Sequence, residues 1–174
     1  MKIRPKYKIK FSNSLNLKHK MNLDTTDLRI LTQLQHDSSL TNIELAKRVH
    51  LSPSPCLTRV KALETGGVIE RYVALVNPKK LGLNLSVFIS ISLKEQSKSA
   101  LAEFEQRIAE HDEVMECYLM TGDSDYLIRV AIADMTALEK FILEQLTPIP
   151  GIEKIRSSFA LKQVRYKTAL PLPR

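Results

Sequence analysis

A chain of 174 residues, 44% of them hydrophobic, has enough apolar material for one ordinary domain or two small ones with buried cores. No apolar run approaches the roughly 18 residues of a membrane span, and the N-terminus lacks the apolar centre of a secretory signal, so membrane and secreted classes are excluded and a cytoplasmic protein is expected. The net charge of +7 is concentrated at the start, where Lys2, Arg4, Lys6, Lys8, Lys10, Lys18 and Lys20 meet no acid; the rest of the chain is balanced, so a nucleic-acid reading must rest on where its charges sit.

Residues 1–22 read as a basic leader followed by a second potential initiator, Met21. An upstream extension or a non-native addition is preferred over an arm that supplies phosphate contacts. From Leu23 the pattern becomes regular. Asp24 caps a helix whose Leu28, Ile30, Leu31 and Leu34 give one apolar face, ending near Asp37. Thr41 and Glu44 form a capping box for a second helix that buries Ile43, Leu45, Ala46 and Val49. After a tight connection at His50 and Leu51, a third helix runs from Ser52 or Pro53 to about Thr65, stopped by Gly66 and Gly67. Three short helices in this order make a helix-turn-helix, and "VIERYVALV" (Val68 to Val76) is expected to supply wing strands. The domain is thus 23–76, followed by a linker at 77–84.

Beyond the linker, "LSVFISISL", "SALAEFEQRIAEH", "VMECYLMTG", "DYLIRVAIAD", "MTALEKFILEQL" and "IEKIRSSFALK" alternate between strand and helix patterns in the order βαββαβ. The expected fold class is α+β: a winged helix-turn-helix followed by a ferredoxin-like plait over 85–162, with a tail at 163–174. A lone plait leaves one sheet face bare. Its strands carry apolar residues on both faces (Val87, Ile89 and Ile91 against Phe88; Leu127, Val130 and Ile132 against Ile128), so another subunit is expected to cover it.

The third helix concentrates the recognition chemistry. With Ser52 as N-cap, Pro53, Ser54 and Pro55 fall in the first turn, where backbone N–H groups lack intrahelical acceptors and proline costs little. Leu57, Val60 and Leu63 are expected to face the core with Cys56. That leaves Ser54, Pro55, Thr58, Arg59 and Lys61 on the surface, with Ser52 at the helix start. Arginine can bridge guanine O6 and N7 in the major groove, and hydroxyls can reach base edges or phosphates. Lys47, Arg48 and Arg71 are placed for phosphates. The plain alternative is a solvated helix face. Cys56 and Cys117 have neither CxxC spacing nor a histidine pair, and read as packed thiols with no metal.

In "MTGDSDYLIRV", an enzyme would pair Asp123 and Asp125 as acid and base, with His111 or Glu116 nearby. No nucleophile, metal spacing or phosphate loop accompanies them, and hairpin turns favour Gly and Asp on conformational grounds alone. A non-enzymatic protein is expected, without a cofactor.

The stretch "NIELAKRVHLSPSPCLTRVKALETGGVIERYVALVNPKKLG" resembles the DNA-binding half of the leucine-responsive and asparagine-responsive (Lrp/AsnC) transcriptional regulators. The "SPSPCLTRVKALE" version is similar to the leucine-responsive branch, and the resemblance spans Leu23 to Lys162. It implies that the "GD.DY" segment is an effector-response loop at an interface between dimers. Gly122 would admit a ligand, Asp123 would pair with an α-ammonium group, Asp125 and Tyr126 would flank it, and Gly151 would contribute from across the interface. The implied protein binds double-stranded DNA sequence-specifically, responds to a small amino acid such as leucine, and assembles from homodimers to a tetramer or octamer in a nucleoid-associated, cytoplasmic setting. The alternative is an architectural nucleoid protein with little effector response.

Overall fold

The computed structural model describes residues 22–173, so the leader lies outside the described residues. The chain forms two compact units: residues 22–73 joined by 167–173, and Ala74–Tyr166.

In the first unit, α1 (Thr25–His36), α2 (Asn42–Arg48) and α3 (Pro53–Thr65) surround one core of Ile30, Leu31, Leu45, Ala46, Val49, Cys56 and Leu63. The caps expected for α1 and α2 form. Asp24 Oδ1 accepts from the Thr26 and Asp27 amides at 2.8 Å each, and Asp27 reaches back to the Asp24 amide at 3.1 Å. Thr41 and Glu44 make the same reciprocal pair at the start of α2.

Three details depart from the sequence reading. Ile43 and Leu57 do not enter the core and are 58% and 43% exposed; Cys56, Val60 and Leu63 form the inward side of α3 instead. Val68–Val76 forms no strand. The Val68 and Ile69 amides both reach the Leu63 carbonyl, at 2.9 and 3.1 Å, and the chain then runs extended with Tyr72, Val73, Leu75 and Val76 exposed. A hairpin needs a turn and a return strand. The next turn comes only at Pro78–Leu81, and none of the strands among the described residues pairs with this run. Finally, residues 167–173 lie against α1 as part of this unit: Gln35 Oε1 accepts from the Leu170 amide at 2.6 Å, its Nε2 donates to the Leu170 carbonyl at 3.3 Å, and Leu172 packs against the core.

The second unit is the expected plait: β1 (Leu85–Leu93), α4 (Lys98–Ile108), β2 (Val114–Leu119), β3 (Tyr126–Ile132), α5 (Met135–Lys140) and β4 (Ile152–Phe159). The sheet is antiparallel in the order β2-β3-β1-β4. After Lys140, α5 widens into π-type turns over Phe141–Leu146, which keeps Phe141 and Leu146 buried. The inner face carries Val87, Ile89, Ile91, Ile128, Val130 and Ile132, packed with Phe104 and Leu138 from the helices. Ile128 therefore lies on the same side as Val130 and Ile132, while Leu127 lies opposite, following the two-residue period of a strand. The outer face is mixed, with Phe88 and Leu127 beside Arg129, whose guanidinium donates to Glu116 Oε1 at 2.6 and 2.9 Å.

Candidate DNA-reading face and effector cavity

At about 3.6 residues per turn, Ser54, Thr58, Lys61 and Thr65 form one stripe on the side of α3 opposite Cys56 and Leu63. All four are exposed, with Pro55 and Leu57 flanking the stripe. Local chemistry leaves the hydroxyls outward. Ser52 is the N-cap by backbone geometry yet makes no side-chain cap bond. The N3 amide that an N-cap oxygen usually engages is missing, because N3 is Pro55. Thr58 donates to the Ser54 carbonyl at 3.2 Å, which leaves its lone pairs outward. Lys47 and Arg48 are exposed at the end of α2, and Arg71 is exposed in the extended segment.

Arg59 is the exception. Its Nη1 donates to Asp24 Oδ2 at 2.7 Å and to Asp27 Oδ1 at 2.8 Å, so the guanidinium turns toward the start of α1 rather than along the stripe. The two carboxylates beside it raise the Arg59 pKa further, and the Asp24 carboxyl is held below its ordinary value first by the Asp27 amide and then by Arg59. The sequence reading also put Leu57 in the core, whereas it stands 43% exposed beside the stripe. Its signal was one of register: with Cys56 inward, the next residue turns about 100° outward.

In the plait, the turn 120–125 and the turn before β4 lie at one end of the sheet, as the pairings Leu119↔Tyr126 and Leu93↔Ile152 require. Gly122 and Asp123 are exposed there, and Gly122 has φ +130°, a conformation that strongly favours glycine. Gly151 is exposed at the same end, and its carbonyl accepts from the Lys94 amide at 2.8 Å. Asp125 and Tyr126 are engaged within the protomer. Asp125 Oδ2 accepts from the Leu93 amide at 2.7 Å and its Oδ1 from Gln96 Nε2 at 2.6 Å. Tyr126 is buried under α4 and donates to Glu105 at 3.0 Å; burial, then Glu105, raises its pKa. An acid–base pair of Asp123 and Asp125 therefore lacks a second uncommitted carboxylate.

Asp123 borders a cavity of about 210 Å³ lined by Ser90, Ser92, Ser124, Lys154 and Arg156. The register pairs Ser90 with Arg156 and Ser92 with Lys154, so two hydroxyls and two cations share the outer face. Among the described residues, no ion pair engages Asp123, Lys154 or Arg156. The two-residue period in "LSVFISISL" and "IEKIRSSF" carries each of these pairs, but only the strand register brings them together.

The comparisons also divide the chain into two parts. Residues 23–70 match the model for winged helix-turn-helix DNA-binding, and residues 86–170 match that for the Lrp/AsnC ligand binding domain. The Bkd operon transcriptional regulator of Pseudomonas aeruginosa is 44% identical over 150 residues, covering 86% of this chain and 98% of that protein. The leucine-responsive regulatory protein of Escherichia coli is 39% identical over 148 residues, covering 85% and 90%. Among solved structures, a Neisseria meningitidis transcriptional regulator in complex with L-methionine superposes with a TM-score of 0.82 at 42% identity, covering 86% of this chain and 96% of that one. Escherichia coli AsnC gives 0.76 at 30%, covering 85% and 98%. With a DNA-binding helix-turn-helix and a ligand-binding plait in the family's order, this chain belongs to the Lrp/AsnC family of transcriptional regulators.

Proposed function

We propose that this regulator reads double-stranded DNA with the α3 stripe and that a free α-amino acid, bound at the Asp123 cavity, changes how strongly it does so. The observation that carries the effector half is the cavity's charge pattern. One exposed carboxylate stands beside two cations and three hydroxyls, which complements an ammonium and a carboxylate held on one small molecule. A volume of about 210 Å³ lies below the roughly 300–1,000 Å³ of drug-sized sites, which suits a single amino acid. The leucine-responsive name of one relative and the L-methionine held by another support an aliphatic or thioether side chain.

On the DNA side, Ser52, Ser54, Pro55, Leu57, Thr58 and Lys61 meet the major groove, while Lys47, Arg48 and Arg71 meet phosphates. The outer sheet face, with Phe88 and Leu127 half-buried around the Arg129–Glu116 pair, supports a homodimer that assembles further, and Gly122 and Gly151 stand at the edge where such assemblies would meet. DNA binding places the protein with the chromosome.

Thermal unfolding in the presence of each of the twenty amino acids tests the effector site, because a ligand that binds only the folded state raises the midpoint. At least one apolar amino acid is expected to stabilise the native protein, and Asp123→Asn to weaken that stabilisation by about tenfold in ligand concentration, as expected for loss of a charge-assisted bond. An undiminished response in Asp123→Asn would contradict the assignment.

A further inference from the structure

We propose that Arg59 is a positioning residue for DNA reading and not itself a reader: anchored to Asp24 and Asp27, it sets the rotation of α3 about its own axis. The proposal rests on the DNA-reading role of α3.

The inward side of α3 is small and apolar, consisting of Cys56, Val60 and Leu63. Such packing is non-directional and resists rotation weakly. Two polar pins supply direction. Asn42 Nδ2 donates to the Pro53 carbonyl at 2.8 Å and fixes the start of the helix against α2. Further along, Arg59 reaches the start of α1, with contacts of 2.7 and 2.8 Å to two carboxylates.

Those carboxylates are themselves immobilised. Asp24 uses Oδ1 for its own helix cap and Oδ2 for Arg59, while Asp27 uses Oδ2 for the reciprocal cap bond and Oδ1 for Arg59. Each acid thus gives one oxygen to α1 and one to α3. A turned α3 would break this four-way arrangement, and the same turn would carry Ser54, Thr58 and Lys61 off their target. The Asp27 side chain is only 14% exposed, so the pair is partly shielded from solvent.

A reader and a brace make opposite predictions for the two acids. If Arg59 read DNA, neutralising Asp24 and Asp27 would release it and remove negative charge from the DNA-binding unit, strengthening binding. If Arg59 is a brace, the same change weakens specific binding despite the favourable change in charge. Asparagine remains a good N-cap, so Asp24→Asn keeps α1 capped.

The test begins with a duplex selected from a random pool by the native full-length protein. Affinity for that duplex, for each of its single-base variants and for random DNA is then measured with Arg59→Gln, Arg59→Lys, the pair Asp24→Asn with Asp27→Asn, and all three neutral changes together. Measurements are made at a temperature where circular dichroism shows every variant folded. Arg59→Gln and the aspartate pair are each expected to lower the ratio of selected to random binding by about fivefold, the upper range for one partly exposed ion pair. The triple variant should be no worse than either, Arg59→Lys should recover part of the ratio, and the ranking of base variants should stay as in the native protein. A brace serving stability alone would leave the ratio of the folded protein unchanged, which would overturn the proposal. So would tighter binding by the aspartate pair, or relaxed preference at one base position in Arg59→Gln. Selection of no duplex by the native protein would remove the DNA-reading function itself and the proposal with it, an outcome distinct from failure of the brace.

Discussion

His50 joins α2 to α3 with φ +60°, the positive-φ conformation that L side chains rarely adopt. The turn demands it: the His50 amide reaches the Lys47 carbonyl at 3.3 Å, and the Leu51 amide then reaches Ala46 at 2.9 Å. His50→Val is expected to destabilise the protein by about 1–2 kcal/mol, the cost of a β-branched residue in the left-handed region, while His50→Gly should lie within about 0.5 kcal/mol of native. Urea unfolding measures both, and equal effects of the two would show that the turn is not strained. At this scale the sequence was legible wherever the determinant is local. Asp24, Thr41 and Ser52 take their cap positions because caps depend on the next three residues. Arg59 was not legible, because its partners lie on another helix, more than thirty residues earlier in the chain, and no local spacing reveals them.

Among elements, the plait strands followed from their two-residue period, and α4 from its apolar stripe ending in buried Phe104 and Ile108. The wing and the tail did not. Val68–Val76 has the composition of a strand, but ladder formation needs a partner that composition does not supply. The tail borders a cavity with Thr25, Leu28, Arg29, Thr32, Gln35 and His36, a stripe that is mostly polar and so reads as solvent-facing. Its anchor is the pair of bonds between the Gln35 amide and the Leu170 backbone, with Leu172 against the core. Gln35→Ala is accordingly expected to lower stability by about 1 kcal/mol, the net worth of an ordinary hydrogen-bond pair at a partly exposed site. Denaturant unfolding of the full chain checks this; an unchanged midpoint would mean that the tail contributes nothing to the helical unit.

At the scale of the whole molecule, two functions sit on two units, and the α+β order that joins them was readable from pattern alone. The proposed effector cavity was only half readable. Asp123 and Gly122 stand out in a turn, whereas Lys154 and Arg156 join them only through the pairing of β4 with β1. A ligand at such a cavity alters DNA binding only if its affinity differs between the DNA-bound and unbound assemblies, and that difference bounds the size of the response. The most direct measurement is fluorescence anisotropy of a duplex selected by the native protein, titrated with protein in the absence and presence of each amino acid. The account predicts that at least one apolar amino acid moves the half-saturation point by about fivefold or more, the lower range of allosteric couplings, and that Asp123→Asn binds the duplex normally without ligand but loses the shift. A half-saturation point that no amino acid moves, or an Asp123→Asn variant that responds as the native protein does, would contradict it.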